Sequence, residues 1–253
     1  MSAPDLQLFR LPGIPLVKAD DDLAELLADA LQRAALELRD GDIIALAQKI
    51  VSKAEGREVL LDKVVASEAA QELAAKSEKD PRVVQLILDE SLRVVRWRPG
   101  AIIVEHRLGI VLANAGIDRS NVAADDQRVL LLPTDPDASA RALRDALGQR
   151  CGIRPGILIT DSIGRPWRLG SLGITIGCAG VDALTDLRGE PDLFGRPMET
   201  SETSPADALA AIATLAMGES AEATPAVLIR GWQSAKDQSA AAILRASNED
   251  LFR

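Results

Sequence analysis

A chain of 253 residues, 47% apolar and 26% charged, can bury a sizeable core, and folding at this length hides about 75% of the unfolded surface. A formal charge of -9, only 2% aromatic residues and no tyrosine argue against nucleic-acid partners and anionic membranes, which reward positive charge and, for single strands, stacking platforms. Cys151 and Cys178 offer neither metal spacing nor a disulfide framework, and no leader or run of about 18 apolar residues is evident, so a cytoplasmic protein is expected.

In chain order, a first strand is expected at 6–11, then a loop punctuated by Pro12, Gly13 and Pro15. Asp20, Asp21 and Asp22 acidify the start of a helix running to about residue 38. Gly41-Asp42 turns the chain into Ile43-Ile44-Ala45-Leu46, short and apolar enough for a strand buried on both faces. Helices are predicted at 67–77 and 81–90, with Pro81 at a first helical position. Strands follow at 94–97, 102–105 and 110–114, with Pro99-Gly100 turning between the first two, and another at 129–132. Asp135 and Pro136 open the next helix as cap and first residue. The remaining elements are strands at 157–159 and 174–179, a helix at 206–217 closed by Gly218, a strand at 227–229 and an alanine-rich helical tail. Hairpins beside crossovers give an α+β or mixed α/β architecture.

Three polar clusters follow apolar runs and place chemistry at the ends of rigid elements. They are Ala47-Gln48-Lys49-Ile50-Val51-Ser52-Lys53-Ala54-Glu55-Gly56, Asn114-Ala115-Gly116-Ile117-Asp118-Arg119-Ser120-Asn121-Val122 and Thr160-Asp161-Ser162-Ile163-Gly164-Arg165-Pro166-Trp167-Arg168. Asp118 and Asp161-Ser162 carry the oxygen donors that Mg²⁺ or Mn²⁺ prefers. The competing reading makes Asp118 a turn residue and Asp161 a helix cap. Lys53, Arg165 and Arg168 are the cations for phosphate oxygens, the alternatives being a solvated lysine and a structural loop around a buried Trp167. Neither Gly-x-x-x-x-Gly-Lys-Ser/Thr nor Gly-x-Gly-x-x-Gly occurs, so a nucleotide must be held by another arrangement. His106, the single histidine, reads as a local hydrogen-bonding or surface residue rather than a catalyst.

The clusters in this order, with Gly13-Ile14-Pro15-Leu16, Leu132-Pro133-Thr134-Asp135-Pro136-Asp137, Asp186-Leu187-Arg188-Gly189 and Leu228-Ile229-Arg230-Gly231, resemble the coenzyme F-420-0:L-glutamate ligase family, the F-420 gamma-glutamyl ligases. The resemblance implies GTP, two divalent cations (Mn²⁺ or Mg²⁺) and a monovalent cation such as K⁺. It implies an amide bond between L-glutamate and the lactyl carboxylate of the deazaflavin coenzyme F-420-0, then gamma-linked glutamates. By position in the family, Asp118, Asp161, Ser162 and Glu202 stand at metal sites, and Ile14, Pro15, Leu16, Val17, Gln48, Lys53 and Asn121 at GTP contacts. Lys53, Arg165 and Arg168 would spread charge during transfer. A homodimer and a family-specific α+β fold follow, with one ligase domain over 1–253, readable as two lobes, and none of the C-terminal flavin-dependent domain that some relatives carry.

The match has departures. Where many relatives read Trp-Arg-Asn-Gly-Gln-Thr-Asp, this chain has Trp167-Arg168-Leu169-Gly170-Ser171-Leu172-Gly173. Polar groups replaced by apolar ones point to a changed acceptor, so a ligase for another carboxylate or amine stays open, as does a non-catalytic binding module.

Overall fold

The computed structural model describes residues 5–120, 122, 127–246 and 248–250. β1 (Gln7–Arg10) leads into a loop in which Gly13 takes a φ of 76°. α1 (Leu23–Arg33) is capped by Asp22, which accepts from Glu25 N at 3.1 Å. It stops short of residue 38. Ala35 turns left-handed at φ 54°, Leu36 N–H bonds back to Leu31 O, and Leu36 and Leu38 reach the core from non-helical chain.

β2 (Ile43–Ala47) passes directly into α2 (Gln48–Ala54), so the first polar cluster is a helix. Then come β3 (Glu58–Leu60), α3 (Glu68–Ser77) and α4 (Pro81–Asp89), with Pro81 at the first turn. A meander follows: β4 (Ser91–Arg98), β5 (Ala101–His106) and β6 (Val111–Ala113). After β7 (Arg128–Leu130), Asp135 caps α5 (Pro136–Cys151) through Ala138 N at 2.9 Å. β8 (Gly156–Gly164) and β9 (Ser171–Ala179) form a long hairpin. β10 (Thr185–Asp186) and β11 (Glu202–Thr203) pair as a separate ribbon. α6 (Pro205–Met217), closed by Gly218, precedes β12 (Ala226–Arg230).

The main sheet has the order β1-β12-β2-β8-β9, with β2 and β8 its one parallel pair. Its central strands are apolar on both faces because both faces are covered. Ile44, Leu46, Ile157, Ile159 and Leu228 pack toward α1 and α5, while Ala45, Leu158, Val227 and Ile229 pack toward α6. Each such large side chain, fully buried, contributes about 1.5–3 kcal/mol. A further core lies between α3, α4 and the β4–β6 meander, around Leu61, Val84, Ile87, Ile102 and Val104. The fold is α+β, neither a Rossmann fold nor a barrel.

Glu90, at the end of α4, ties this second core to the chain beside α2. Arg57 Nη2 donates to both Glu90 oxygens at 2.9 Å, Arg107 Nε donates at 2.9 Å, and Arg57 Nε reaches Leu132 O at 2.9 Å. Burial pushes the Glu90 carboxyl up, but His106, Arg57 and Arg107 outweigh it and bring it down to about 2. His106 is fully buried, not a surface residue, and its Nδ1 accepts from Leu108 N at 3.0 Å.

β9 is an edge strand, and carboxylates take two of its backbone N–H groups. Asp207 Oδ1 accepts from Thr175 N at 2.9 Å and Asp137 Oδ1 from Cys178 N at 2.8 Å. The expected C-terminal helical tail is absent among the described residues, where a 3-10 turn (Ala240–Ile243) is the one helical piece after β12. The backbone there is committed elsewhere: Asp182 accepts from Ala235 and Lys236 N–H, and Gln238 Oε1 from Ala183 and Leu184 N–H. Among the described residues, no helix is long and apolar enough to cross a membrane.

Candidate active site

Asp118 is aimed by an unusual turn. After β6, Asn114, Ala115 and Gly116 take φ of 52°, 54° and 66°, three left-handed residues in succession. Asparagine tolerates that region and glycine enters it freely, whereas alanine is strained there. Asn114 Oδ1 anchors the turn by accepting from Ile102 N at 3.1 Å. At Gly116 a Cβ would lie 2.8 Å from Leu132 Cδ1, so packing also demands glycine. Asp118 then bridges Leu130, each donating N–H to the other's carbonyl at 2.9 Å. Its side chain is held from α2: Gln48 Nε2 donates to Oδ2 at 2.7 Å, and Lys49 Nζ lies 3.4 Å from Oδ1.

Asp161 lies within β8, paired with Ile174 of β9, and is not a helix cap. A register shift after Ile159 bends the hairpin beside it. Asp161 Oδ1 accepts from Ser162 N at 2.9 Å, and Ser162 Oγ donates to Glu219 Oε2 at 3.0 Å. The two aspartates feel each other. Burial first, then the Asp118 charge, pushes the Asp161 carboxyl up to about 7. Asp118 is also raised by burial, against the pull of Lys49 and Gln48.

A cavity of about 270 Å³ opens at this point, lined by residues 14–17, the start of α2, the 160–162 stretch of β8 and the 214–225 segment from the end of α6 to β12. In the first segment Ile14 and Val17 are buried anchors, while Pro15 and Leu16 are exposed between them. Arg33 Nη2 pins this loop by donating to Gly13 O at 3.0 Å. Gln48 and Lys53 also line the cavity. Burial, reinforced by Lys49, lowers the Lys53 pKa, with Glu58 opposing.

The remaining candidates are not gathered there. Arg165 is half-buried near the hairpin tip, where its Nη1 donates to Gly170 O at 3.2 Å, and Arg168 is exposed at that tip. Neither lines the cavity. Trp167, offered as a buried anchor, is 88% exposed with a φ of 68°. Glu202 sits on the β10–β11 ribbon, 3.2 Å from Arg188, outside the cavity lining. Asn121 lies outside the described residues. Two participants went unassigned in the sequence: Lys49 and Glu219. The signal for Glu219 was an acidic run, Gly218-Glu219-Ser220-Ala221-Glu222, between a helix end and a buried strand.

The donors are oxygens of two carboxylates and a hydroxyl, partly desolvated and mutually repelling, which suits a hard divalent cation. Among the described residues no three acidic, histidine or cysteine side chains close into a cage.

Residues 13–231 match the family described as F420-0:Gamma-glutamyl ligase. The chain is 44% identical over 256 residues to the coenzyme F420:L-glutamate ligase of Methanopyrus kandleri, covering 98% of this chain and 99% of that protein. It is 42% identical over 251 residues to the protein of the same name from Methanothermobacter thermautotrophicus, at 98% and 99% coverage. With that from Archaeoglobus fulgidus it shares 40% identity over 248 residues, covering 98% and 96%.

Proposed function

Because the chain belongs to the F420-0:gamma-glutamyl ligase family, we propose that it joins L-glutamate to the lactyl carboxylate of coenzyme F-420-0 at the expense of GTP. The meeting of Asp161, Lys49 and Lys53 in one cavity, with Asp118 held behind its lining by Gln48 and Lys49 and close enough to raise the Asp161 carboxyl, supports this reading most strongly. A carboxylate is a poor acylating agent, so it first takes the γ-phosphoryl group of GTP. The glutamate amine then attacks the acyl phosphate, the new C–N bond forms, and phosphate leaves as GDP is released. Gamma-linked glutamates would be added by the same two steps.

Divalent cations on Asp118, Asp161 and Ser162 would offset the negative charge of the transferring phosphoryl group. Lys53, its pKa lowered by burial, would meet a phosphate oxygen as a compact, partly desolvated point charge. The loop at Ile14, Pro15, Leu16 and Val17 lines one wall for the nucleotide, with Asn121 assigned to it by family position. Glu202, Arg165 and Arg168 lie on β-ribbons away from the cavity. Leu169 and Leu193 are fully exposed and Phe194 nearly so, which supports a homodimer in which these ribbons serve the partner copy.

Purified protein with GTP, Mn²⁺, L-glutamate and coenzyme F-420-0 should release GDP and yield a product heavier by one glutamyl residue on mass spectrometry. Absence of product rejects the reading. The exposed apolar tip Trp167–Leu169 favours a second version, the same activation step with a different acid or amine. A screen of carboxylate and amine pairs for GDP release distinguishes it, and full turnover of the deazaflavin eliminates it.

A further inference from the structure

Gln48 opens α2 and is 1% exposed; Ser52, one turn on, is fully buried. The i, i+4 spacing stacks the two side chains on one helix face. Ser52 Oγ donates to Gln48 Oε1 at 2.8 Å, and Gln48 Nε2 donates to Asp118 Oδ2 at 2.7 Å. Hydroxyl, amide and carboxylate thus form one directed chain, Ser52 to Gln48 to Asp118.

We propose that Ser52 and Gln48 are positioning residues for Asp118, setting the orientation in which that carboxylate receives a divalent cation. The proposal rests on the reading of Asp118 as a cation ligand. A glutamine amide has two ends of nearly equal shape and opposite polarity. Facing an ionised carboxylate, which only accepts, the NH₂ end attracts and the carbonyl end repels. The Ser52 hydroxyl settles the choice by occupying Oε1. With both groups buried, reversing the amide would set its carbonyl against Asp118, an arrangement without solvent to relieve it.

The two carboxylate oxygens consequently differ. Oδ2 is fixed by a buried, oriented amide. Among the described residues Oδ1 faces Lys49 Nζ at 3.4 Å, an ammonium also held by Ser120 at 3.2 and 3.3 Å, so Oδ1 is the less committed of the two oxygens. Oδ1 is therefore the oxygen presented to the cation. The Gln48 amide acts on the cation through Asp118.

The test is titration of the metal-free protein with Mn²⁺, following free Mn²⁺ by electron paramagnetic resonance, for wild type, S52A, Q48M and the double variant. Methionine keeps the length of glutamine and donates nothing. Partners behind a metal ligand usually change affinity by about 10–100-fold, so Q48M is expected to weaken Mn²⁺ binding about tenfold or more. S52A, which removes one orienting hydrogen bond, should weaken it about 3–10-fold. The double variant should bind no more weakly than Q48M alone, because Ser52 has no route to Asp118 except through the amide. Losses that multiply in the double variant overturn the relay, as does Q48M binding Mn²⁺ like wild type. Should S52A not fold, Q48E decides instead. The relay requires weaker binding, since two carboxylates then face each other, and equal or tighter binding overturns it. Wild-type protein without Mn²⁺ affinity defeats the cation reading itself and the relay with it.

Discussion

Ser162 donates its hydroxyl to Glu219 Oε2 at 3.0 Å, joining the middle of the β8–β9 hairpin to the loop that closes α6. The contact places Glu219 against the residue that follows Asp161, and its charge adds to the field that raises the Asp118 and Asp161 pKa values. Glu219→Ala is expected to weaken Mn²⁺ binding about tenfold. Its thermal stability should stay within about 0.5 kcal/mol of wild type, because Glu219 is exposed. Calorimetric titration beside a melting curve checks both.

Asp161→Asn should stabilise the metal-free protein while abolishing metal-dependent turnover. The raised pKa of about 7 means that the folded protein keeps a proton which the unfolded chain releases near pH 4. Native stability from this group therefore falls as pH rises from about 4 to 7. The asparagine variant escapes that loss. Its melting temperature should exceed that of wild type at pH 8 in the presence of a chelator and match it near pH 4.

Gly116→Ala tests the left-handed turn before Asp118. A methyl there meets Leu132 Cδ1 at 2.8 Å and its Cγ at 2.9 Å, on a backbone at φ 66°. Strain and overpacking together should cost about 2–4 kcal/mol. Urea denaturation gives the cost, and a larger loss in kcat than in nucleotide affinity would show that Asp118 has moved.

Glu90 governs acid stability. Its carboxyl is held near 2, below its ordinary value of 4.5, despite burial, because Arg57, Arg107 and His106 favour the charged form. This stabilisation is complete above about pH 4.5 and is lost as pH falls toward 2. Glu90→Gln leaves Arg57 and Arg107 without their anion and should cost about 3 kcal/mol at pH 7. The difference from wild type should shrink across pH 4.5 to 2, as read from denaturant midpoints.

The layers of the fold were legible where local signals agree. Ile43-Ile44-Ala45-Leu46 is too short and apolar for anything but a covered strand, and Asp135, Pro136 and Gly218 mark helix ends at their observed places. α2 was not legible. Ala47 offers no side-chain cap, so the strand becomes a helix without a start signal. α1 ends at Arg33, and Ala35 just beyond it is a residue type that gives no warning of a left-handed turn. Asp161 is local to β8 but takes its meaning from Asp118, which another element delivers. Periodicity cannot report that meeting; residue type and position made the two candidates, and the family resemblance chose the metal reading over turn and cap. The same distance effect hid Glu219 while Glu202 drew attention.

The carboxylates along β9 have a bearing on how the protein behaves in concentrated solution. An uncovered sheet margin is a template on which a second chain can polymerise. Here Asp137 and Asp207 spend their oxygens on two of the donors that an incoming strand would need, and their charge repels other acidic chains of the same kind. Neutralising both side chains would leave the Thr175 and Cys178 amides without those acceptors at that margin, while the lining of the cavity where the chemistry is proposed to occur stays as it is.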